Sequence, residues 1–395
     1  MSSQISGARV ERTFRNDTST LVGVVGRRAG LLTVRVAGVM RGLLGLLLLT
    51  LAVFPVQAQD EPASQPALAP ASGDESTETT LTPREQLVAA YMLSQESPSV
   101  ETYSHIIEVC EATLADELSM EDRRYARQLA SWAYTMRADE RIDLEQVEPE
   151  ASGTARNDLD FAIEYDSANW RARVLRGVLN GAEKRYDEAI ADLDSAIKIN
   201  DKSVVAWYNR AELRYQVGDF VLATYDYGRA LELNPRDTQA YVGRGHAYFQ
   251  LGRFRESLED YKKVVLLTSG SAQSLLFRGD AYTALSQWDA ARDDYQLAVA
   301  RASESSEAHR KLAWLLATCP DLTVANPRQA VTLARRAHEL DAESWESVEA
   351  LATALAATDQ LTQAVELINA WTLENPEAAH DNATALRDSL QSRIE

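Results

Sequence analysis

The fold of this chain is decided by residues 208–235, YNRAELRYQVGDFVLATYDYGRALELNP. Arg210 lies where the apolar spacing predicts the buried side of a helix, and Asp226 follows sixteen residues later. An aliphatic side chain would pack at such a position without the cost of removing a charge from water. The same pair recurs every thirty-four residues along the chain, as Arg176/Asp192, Arg244/Asp260 and Arg278/Asp294.

This constant interval, called the repeat interval below, also aligns whole columns of the blocks 170–203, 204–237, 238–271 and 272–305. Small residues let two helices approach closely, and a large side chain four residues after the second small column fills the space between them. Each block therefore predicts a helical hairpin. The columns are Gly177, Ala211, Gly245 and Gly279; Ala189, Ala223, Ser257 and Ala291; Leu193, Tyr227, Tyr261 and Tyr295; and Ala196, Ala230, Val264 and Ala298.

The turn residues support two helices of about a dozen residues in each block. Gly218 and Gly252 stand where a first helix must end in a left-handed conformation, and Pro235 stops a second helix. A hairpin of this size cannot bury its own apolar face, so neighbouring hairpins must stack.

These blocks resemble tetratricopeptide repeats. The family's pattern of an early Trp, a small residue, Ala, an aromatic residue, Ala and a closing Pro is matched by Trp207, Ala211, Ala223, Tyr227, Ala230 and Pro235. Arg210 and Arg214 depart from it, because the family usually has Leu and Tyr there. The resemblance implies an all-α, right-handed superhelical solenoid of antiparallel helix hairpins with a capping helix at the C-terminus.

The repeat pattern decays in both directions along the chain. We expect a solenoid over 83–395, with diverged hairpins in 83–166, 306–343 and 345–377 and the cap in 378–395. The hairpin that starts at residue 306 has five extra residues in its turn, around TCPDLTVANP (318–327).

The Arg and Asp of each block predict an ion pair between the two helices of one hairpin. Both lie at similar distances from the turn, so a bidentate contact is geometrically reasonable. The two C-terminal hairpins provide an internal comparison, since both members of the pair become Leu together, at Leu312 with Leu333 and at Leu351 with Leu367. Joint replacement is expected for residues that touch, which favours a structural pair over a binding site for anions.

The first 58 residues differ from the rest of the chain. Seven Arg precede the apolar run LLGLLLLTLAVF (43–54), and small residues precede Gln59. This order predicts a secretory signal peptide over 1–58, cleaved after Ala58, with Met40 as an alternative start. The alternative interpretation is an uncleaved signal anchor. Residues 59–82, rich in Pro, Ser, Thr and acids, predict a disordered linker.

Charge and motifs limit the classes of function. Without residues 1–58 the chain has 33 basic and 57 acidic residues, a net charge of −24, which disfavours binding to nucleic acid. The five His are scattered, and the chain has no Cys-x-x-Cys, phosphate-binding loop or nucleophile motif, so we expect no metal, cofactor or catalysis. We expect Cys110 and Cys319 to be separate buried thiols.

A solenoid of this type offers a long concave surface that is lined by the first helix of each repeat. Aromatic and amide side chains there suit a peptide or protein partner, and Glu212 and Asp280 favour a neutral or basic one. The predicted groove residues are Tyr208, Asn209, Glu212, Tyr215, Gln216, Val242, His246, Phe249, Gln250, Leu276, Asp280 and Thr283.

We therefore expect a non-catalytic adaptor for other proteins that is exported to the periplasm or secreted, and the resemblance implies assembly roles in bacterial envelopes. One alternative is a scaffold held at the inner membrane by residues 43–54. Another is an accessory factor that binds cell-wall glycans through the aromatic groove.

Overall fold

The computed structural model describes residues 81–96, 98–145, 152–375 and 381–395. The predicted signal peptide and nearly all of the predicted linker lie outside these ranges. In the described ranges every regular element is a helix, and consecutive helices pack as antiparallel pairs. The predicted all-α solenoid of helix hairpins is confirmed.

The helices follow one another with short connections. They are α1 Pro83–Glu96, α2 Val100–Ala115, α3 Met120–Glu145, α4 Ser152–Tyr165, α5 Trp170–Ala182, α6 Tyr186–Ile199, α7 Val204–Gln216, α8 Phe220–Leu233, α9 Thr238–Gln250, α10 Phe254–Leu267, α11 Ala272–Ala284, α12 Trp288–Arg301, α13 Ser306–Thr318, α14 Pro327–Leu340, α15 Trp345–Ala357, α16 Leu361–Glu374 and α17 Asp381–Gln391.

The helix starts repeat as regularly as the core does. In five successive hairpins, those that begin with α5, α7, α9, α11 and α13, the side chain before the first helix accepts a hydrogen bond from a backbone N–H of the first turn, which satisfies one of the unpaired donors there. These caps are spaced by the repeat interval and are Asn169, Ser203, Asp237, Ser271 and Ser305.

The turn inside each of the four central hairpins, α5–α6 to α11–α12, contains one residue with positive φ. Gly218 and Gly252 have φ of +87° and +70°. The same column holds Lys184 and Ser286 in the flanking repeats, with φ of 61° and 58°. The left-handed turn is therefore kept where Gly is absent, although a side chain there is strained.

Small residues of the first helix accept the ring of the second. A Cβ on Gly245 would lie 2.6 Å from Cε1 of Tyr261, and a Cβ on Gly279 would collide with Tyr295. Tyr227 instead reaches the next repeat, where it lies against Gly243. The tyrosine rings thus fill the space within and between hairpins, and all three are almost completely buried.

First helices approach one another, as α5 does with α7 and α7 with α9, in addition to packing on second helices. The first helices therefore form the inner layer of the stack and the second helices the outer layer. This arrangement makes α7, α9 and α11 the inner surface and α6, α8 and α10 the outer surface of the central repeats.

The diverged hairpins depart from the central repeats in two places. Helix α3 runs from Met120 to Glu145, about twice the length of a central helix. Cys319–Asn326 forms the long turn between α13 and α14, with Val324 buried and Leu322 exposed. The extra residues therefore lengthen the turn and leave the two helices paired.

Candidate partner-binding surface

The structure contains all four Arg–Asp pairs that the sequence suggests. In each pair, Nε and Nη2 of the Arg donate to the two carboxylate oxygens of the Asp, at N···O distances of 2.6–2.9 Å. Asp226 has no exposed surface. The hydrogen bonds to Asp294 raise the pKa of Arg278, so this guanidinium stays protonated. The Arg side chains are already engaged within the hairpins and are not free to bind a ligand.

Further contacts join some of these pairs to their surroundings. Nη1 of Arg176 donates to Asp160 and Nη1 of Arg210 donates to Asp194, each on the second helix of the preceding hairpin. Arg214 makes a second ion pair with Asp226, at 2.6 Å. The pairs therefore connect successive hairpins as well as the two helices of one hairpin.

A fifth pair of the same type was not predicted. Nε and Nη2 of Arg137 donate to Asp158 at 2.9 and 2.7 Å, and Arg141 adds a further bond. Asp158 lies one repeat interval before Asp192, so the spacing identifies the acid. The long connection between α3 and α4 shifts Arg137 out of the register of the other Arg residues. The sequence spacing therefore does not identify Arg137 as the partner of Asp158.

The groove residues differ widely in exposure. Gln250 is exposed, and seven others are half-buried: Glu212, Tyr215, Gln216, His246, Phe249, Asp280 and Thr283. Tyr208, Asn209, Val242 and Leu276 are buried, with 1–9% of their surface exposed. These four lie in the packing beneath the inner surface, so a partner on α7, α9 and α11 would contact mainly the other eight.

Tyrosines of the second helices hold the acids of the inner surface. The hydroxyl of Tyr227 donates to Oε1 of Glu212, and that of Tyr295 donates to Oδ1 of Asp280 at 2.7 Å. Burial raises the pKa of Glu212, although hydrogen bonds from Tyr227 and Tyr208 oppose this effect. The two acids lie in the same column, two repeats apart.

The two acids differ in their neighbours. Lys311 of α13 lies against Asp280, with Nζ 2.7 and 3.0 Å from its carboxylate oxygens. Among the described residues, no basic side chain pairs with Glu212. The Oδ1 atom of Asn209, one turn before Glu212, is also buried without a partner. Helix α7 therefore has two polar groups, Glu212 at the inner surface and Asn209 beneath it, whose hydrogen-bonding capacity the described chain does not fill.

His246 lies between the two acids in the same column, and its ring is surrounded by aromatic groups. It meets Phe277 and Tyr261 edge-on, at centroid distances of 4.8 and 5.8 Å. The pKa of His246 is lowered to about 4, because the effect of burial is larger than the opposite effect of the Asp280 carboxylate. His246 is therefore neutral near pH 7.

Two aromatic side chains of the inner surface are fixed by the next helix. Tyr215 packs edge-on against Phe220 at 5.2 Å, and Phe249, at the same position in the next repeat, packs in the same way against Phe254 at 5.0 Å. The two rings are half-buried and held in place before any partner arrives. Rings fixed in this way lose little conformational entropy on binding.

The part of the chain that the structure describes contains no group of three His, Cys, Asp or Glu side chains that could hold a metal ion. Cys110 and Cys319 are both buried and unbridged, and burial raises the pKa of Cys110 to about 12. No helix in the described ranges has the length and apolar character needed to cross a membrane.

Comparison with known proteins agrees with this geometry. The family model described as tetratricopeptide repeat matches residues 152–204, 208–273 and 242–307. The chain is a tetratricopeptide-repeat protein. The matched residues include all four predicted Arg–Asp pairs and the groove residues, so the surface belongs to the repeats that match this family.

Solved structures of tetratricopeptide-repeat proteins share the fold at low identity. One from Parabacteroides merdae is 15% identical with a TM-score of 0.51, covering 66% of this chain and 99% of its own. The C-terminal part of one from Cytophaga hutchinsonii is 14% identical with a TM-score of 0.50, covering 67% of this chain and 99% of its own. No curated protein sequence gives a significant match.

Tetratricopeptide repeats present an extended surface on which other proteins bind. This tetratricopeptide-repeat protein is accordingly a protein-interaction scaffold.

Proposed function

We propose that the protein is an exported adaptor without catalysis of its own, and that it binds a neutral or basic peptide segment on the inner surface of α7, α9 and α11. The partner would lie across the half-buried rings of Tyr215 and Phe249. Its basic group would meet Glu212. The biological role of such an adaptor would be to assemble a larger protein complex.

The carboxylate of Glu212 is the observation that carries the proposal. It is fixed by tyrosine hydroxyls, and no cation of the described chain neutralises it. Asp280, at the same position two repeats on, has Lys311 as its cation. A Lys or Arg side chain of a partner would give Glu212 the neighbour that Lys311 gives Asp280, and a charge-assisted hydrogen bond is stronger than a neutral one.

An array of extended peptides tests this function directly. The full chain should bind neutral and basic peptides and reject acidic ones. Glu212→Gln keeps the shape of the side chain but removes its charge, so basic peptides should bind roughly tenfold more weakly, while Tyr215→Ala/Phe249→Ala should weaken neutral and basic peptides alike.

The matched control is Glu188→Gln, which removes an exposed carboxylate from the outer helix α6 and should leave peptide binding unchanged. Equal binding of acidic and basic peptides, or the same affinity for Glu212→Gln as for the wild type, would contradict the proposal. Cell-wall glycan fragments on the same array test the glycan alternative, which requires binding that depends on Tyr215 and Phe249.

Export is tested separately, because the segment that carries it lies outside the described residues. N-terminal sequencing of the protein from envelope fractions should give a start at Gln59. An intact apolar run 43–54 on the isolated protein would instead support the membrane-tethered scaffold.

A further inference from the structure

Helix α8 exposes apolar side chains on the outer surface of the protein. Val221, Leu222 and Tyr225 are 65%, 47% and 59% exposed, and they are close in sequence on one side of the helix. Large exposed apolar groups that lie together mark interaction surfaces more often than isolated ones do. The three residues are called the α8 patch below.

The neighbouring repeats show that the fold does not require apolar residues here. The equivalent positions of the preceding repeat, on α6, hold Asp187, Glu188 and Ala191, and those of the following repeat, on α10, hold Arg255, Glu256 and Glu259. Five of these six residues are charged, as expected of a solvated outer face. The α8 patch is therefore specific to one repeat.

Among the described residues, the unpaired charges on either side of the patch are of opposite sign, because Glu256 and Glu259 on α10 already pair with Arg253 and Lys262. Asp187 and Glu188 are exposed on α6, and within the described residues neither is paired with a basic side chain. Arg255 on α10 is also exposed, next to Arg253. Because residues one repeat interval apart occupy equivalent places in successive repeats, Asp187, Val221 and Arg255 lie at the same height on three adjacent outer helices.

An apolar strip with an acid on one side and a base on the other is complementary to itself. A two-fold axis parallel to α8 brings the two α8 patches together and places α6 of each copy opposite α10 of the other. Asp187 then faces Arg255 of the second copy, and the contact occurs twice. Glu188 faces Glu256, whose charge Arg253 of the same copy balances. Two-fold symmetry accounts for opposite charges at equal height on the two sides of the patch, whereas binding of an unrelated protein does not require them.

We propose that the α8 patch binds the α8 patch of a second copy of this chain. The contact is isologous, with an apolar centre and two reciprocal Asp187–Arg255 pairs at its edges. Three apolar residues per copy form a small centre, so the dimer is expected to be weak and to depend on protein concentration. The inner surface of α7, α9 and α11 stays open in this dimer, so the inference does not rest on the proposed function.

Sedimentation of the protein expressed from its full-length coding sequence, over a range of concentrations, tests the proposal. The wild type should shift from monomer to dimer, and Val221→Glu should stay monomeric under the same conditions. Asp187→Arg and Arg255→Asp should each weaken the homodimer at least tenfold, because each places like charges opposite one another.

Mixing the two charge variants gives the decisive measurement. In a mixed dimer of Asp187→Arg with Arg255→Asp, both edge contacts again join opposite charges, so dimerisation should return. Glu366→Arg, an exposed change on the outer face of α16, is the matched control and should dimerise like the wild type.

Three outcomes would overturn the proposal: a wild type that is monomeric at every concentration, a Val221→Glu dimer as strong as the wild type, or charge variants that do not recover on mixing. The two charge variants alter exposed side chains, so the mixing result does not depend on whether Val221→Glu folds. Binding of an unrelated protein to a monomeric wild type would assign the patch to that partner and reject the second copy.

Discussion

The hairpins of α5–α12 and those of α13–α16 fill one interior position in two ways. The first group uses a bidentate Arg–Asp pair between its helices, whereas the second has Leu312 with Leu333 and Leu351 with Leu367. Leu312 and Leu351, at the Arg positions, are buried, and Leu333 and Leu367, at the Asp positions, are half-buried. The fold therefore accepts either an ion pair or an apolar pair at this position. In each of these hairpins the two facing residues are either both charged or both apolar.

The two regions also differ in how they share volume between helices. Where the second helix has Tyr261 or Tyr295, the facing column of the first helix has Gly245 or Gly279. In α13–α16 the same columns hold Ala313 with Ala334 and Ala352 with Ile368. A large ring is thus accompanied by the smallest residue, as expected of an interior that is packed without large voids.

The largest predicted effect comes from combining a Leu at the Arg position with an Asp at the facing position of one hairpin. Arg244→Leu leaves Asp260 buried without its cation, and the free energy of unfolding should fall by about 3–5 kcal/mol. Arg244→Leu/Asp260→Leu recreates the type of pair found in α13–α16 and should lose far less. Urea unfolding of both variants measures the difference, and equal losses would refute the pairing.

The pH dependence of the single variant sharpens the same test. Burial already raises the pKa of Asp260, although Arg244 opposes the effect. Without Arg244, the folded state binds a proton at Asp260 more readily than the unfolded state does. The loss of stability should therefore be fully present near pH 7 and should decrease as the pH falls toward 4. A loss that does not change with pH would show that the carboxylate is not its cause.

A second, smaller effect is predicted for the ring and glycine columns. Gly245→Ala forces a Cβ to within 2.6 Å of Tyr261, so the variant should lose about 1–3 kcal/mol of stability. Gly228→Ala is the matched control, because its Cβ would lie 3.7 Å from the nearest atom, Nη1 of Arg244. It should gain up to about 1 kcal/mol from helix propensity. Similar losses in both variants would refute the packing argument.

The sequence allowed the hairpins and the Arg–Asp pairs to be predicted because both repeat in one register. Arg137 was missed because the long connection between α3 and α4 breaks that register, although Asp158 stayed in it. The depth of the groove residues was harder to predict. Tyr208 is buried because its ring packs edge-on against Tyr227 at 5.8 Å. Tyr227 in turn needs the space that Gly243 of the next repeat leaves. Helical spacing within one repeat does not contain that information.

The smallest predicted effect concerns the second cation at Asp226. Arg214→Tyr introduces the residue that the next two repeats have, Tyr248 and Tyr282. Asp226 would keep both hydrogen bonds from Arg210, at 2.8 Å, so the free energy of unfolding should change by less than about 1 kcal/mol. A loss as large as that of Arg244→Leu, measured by the same urea unfolding, would mean that Asp226 requires two cations. Asp226 would then differ from Asp260, for which the single cation Arg244 is enough. The difference would mean that a completely buried carboxylate needs a second cation in addition to one bidentate Arg.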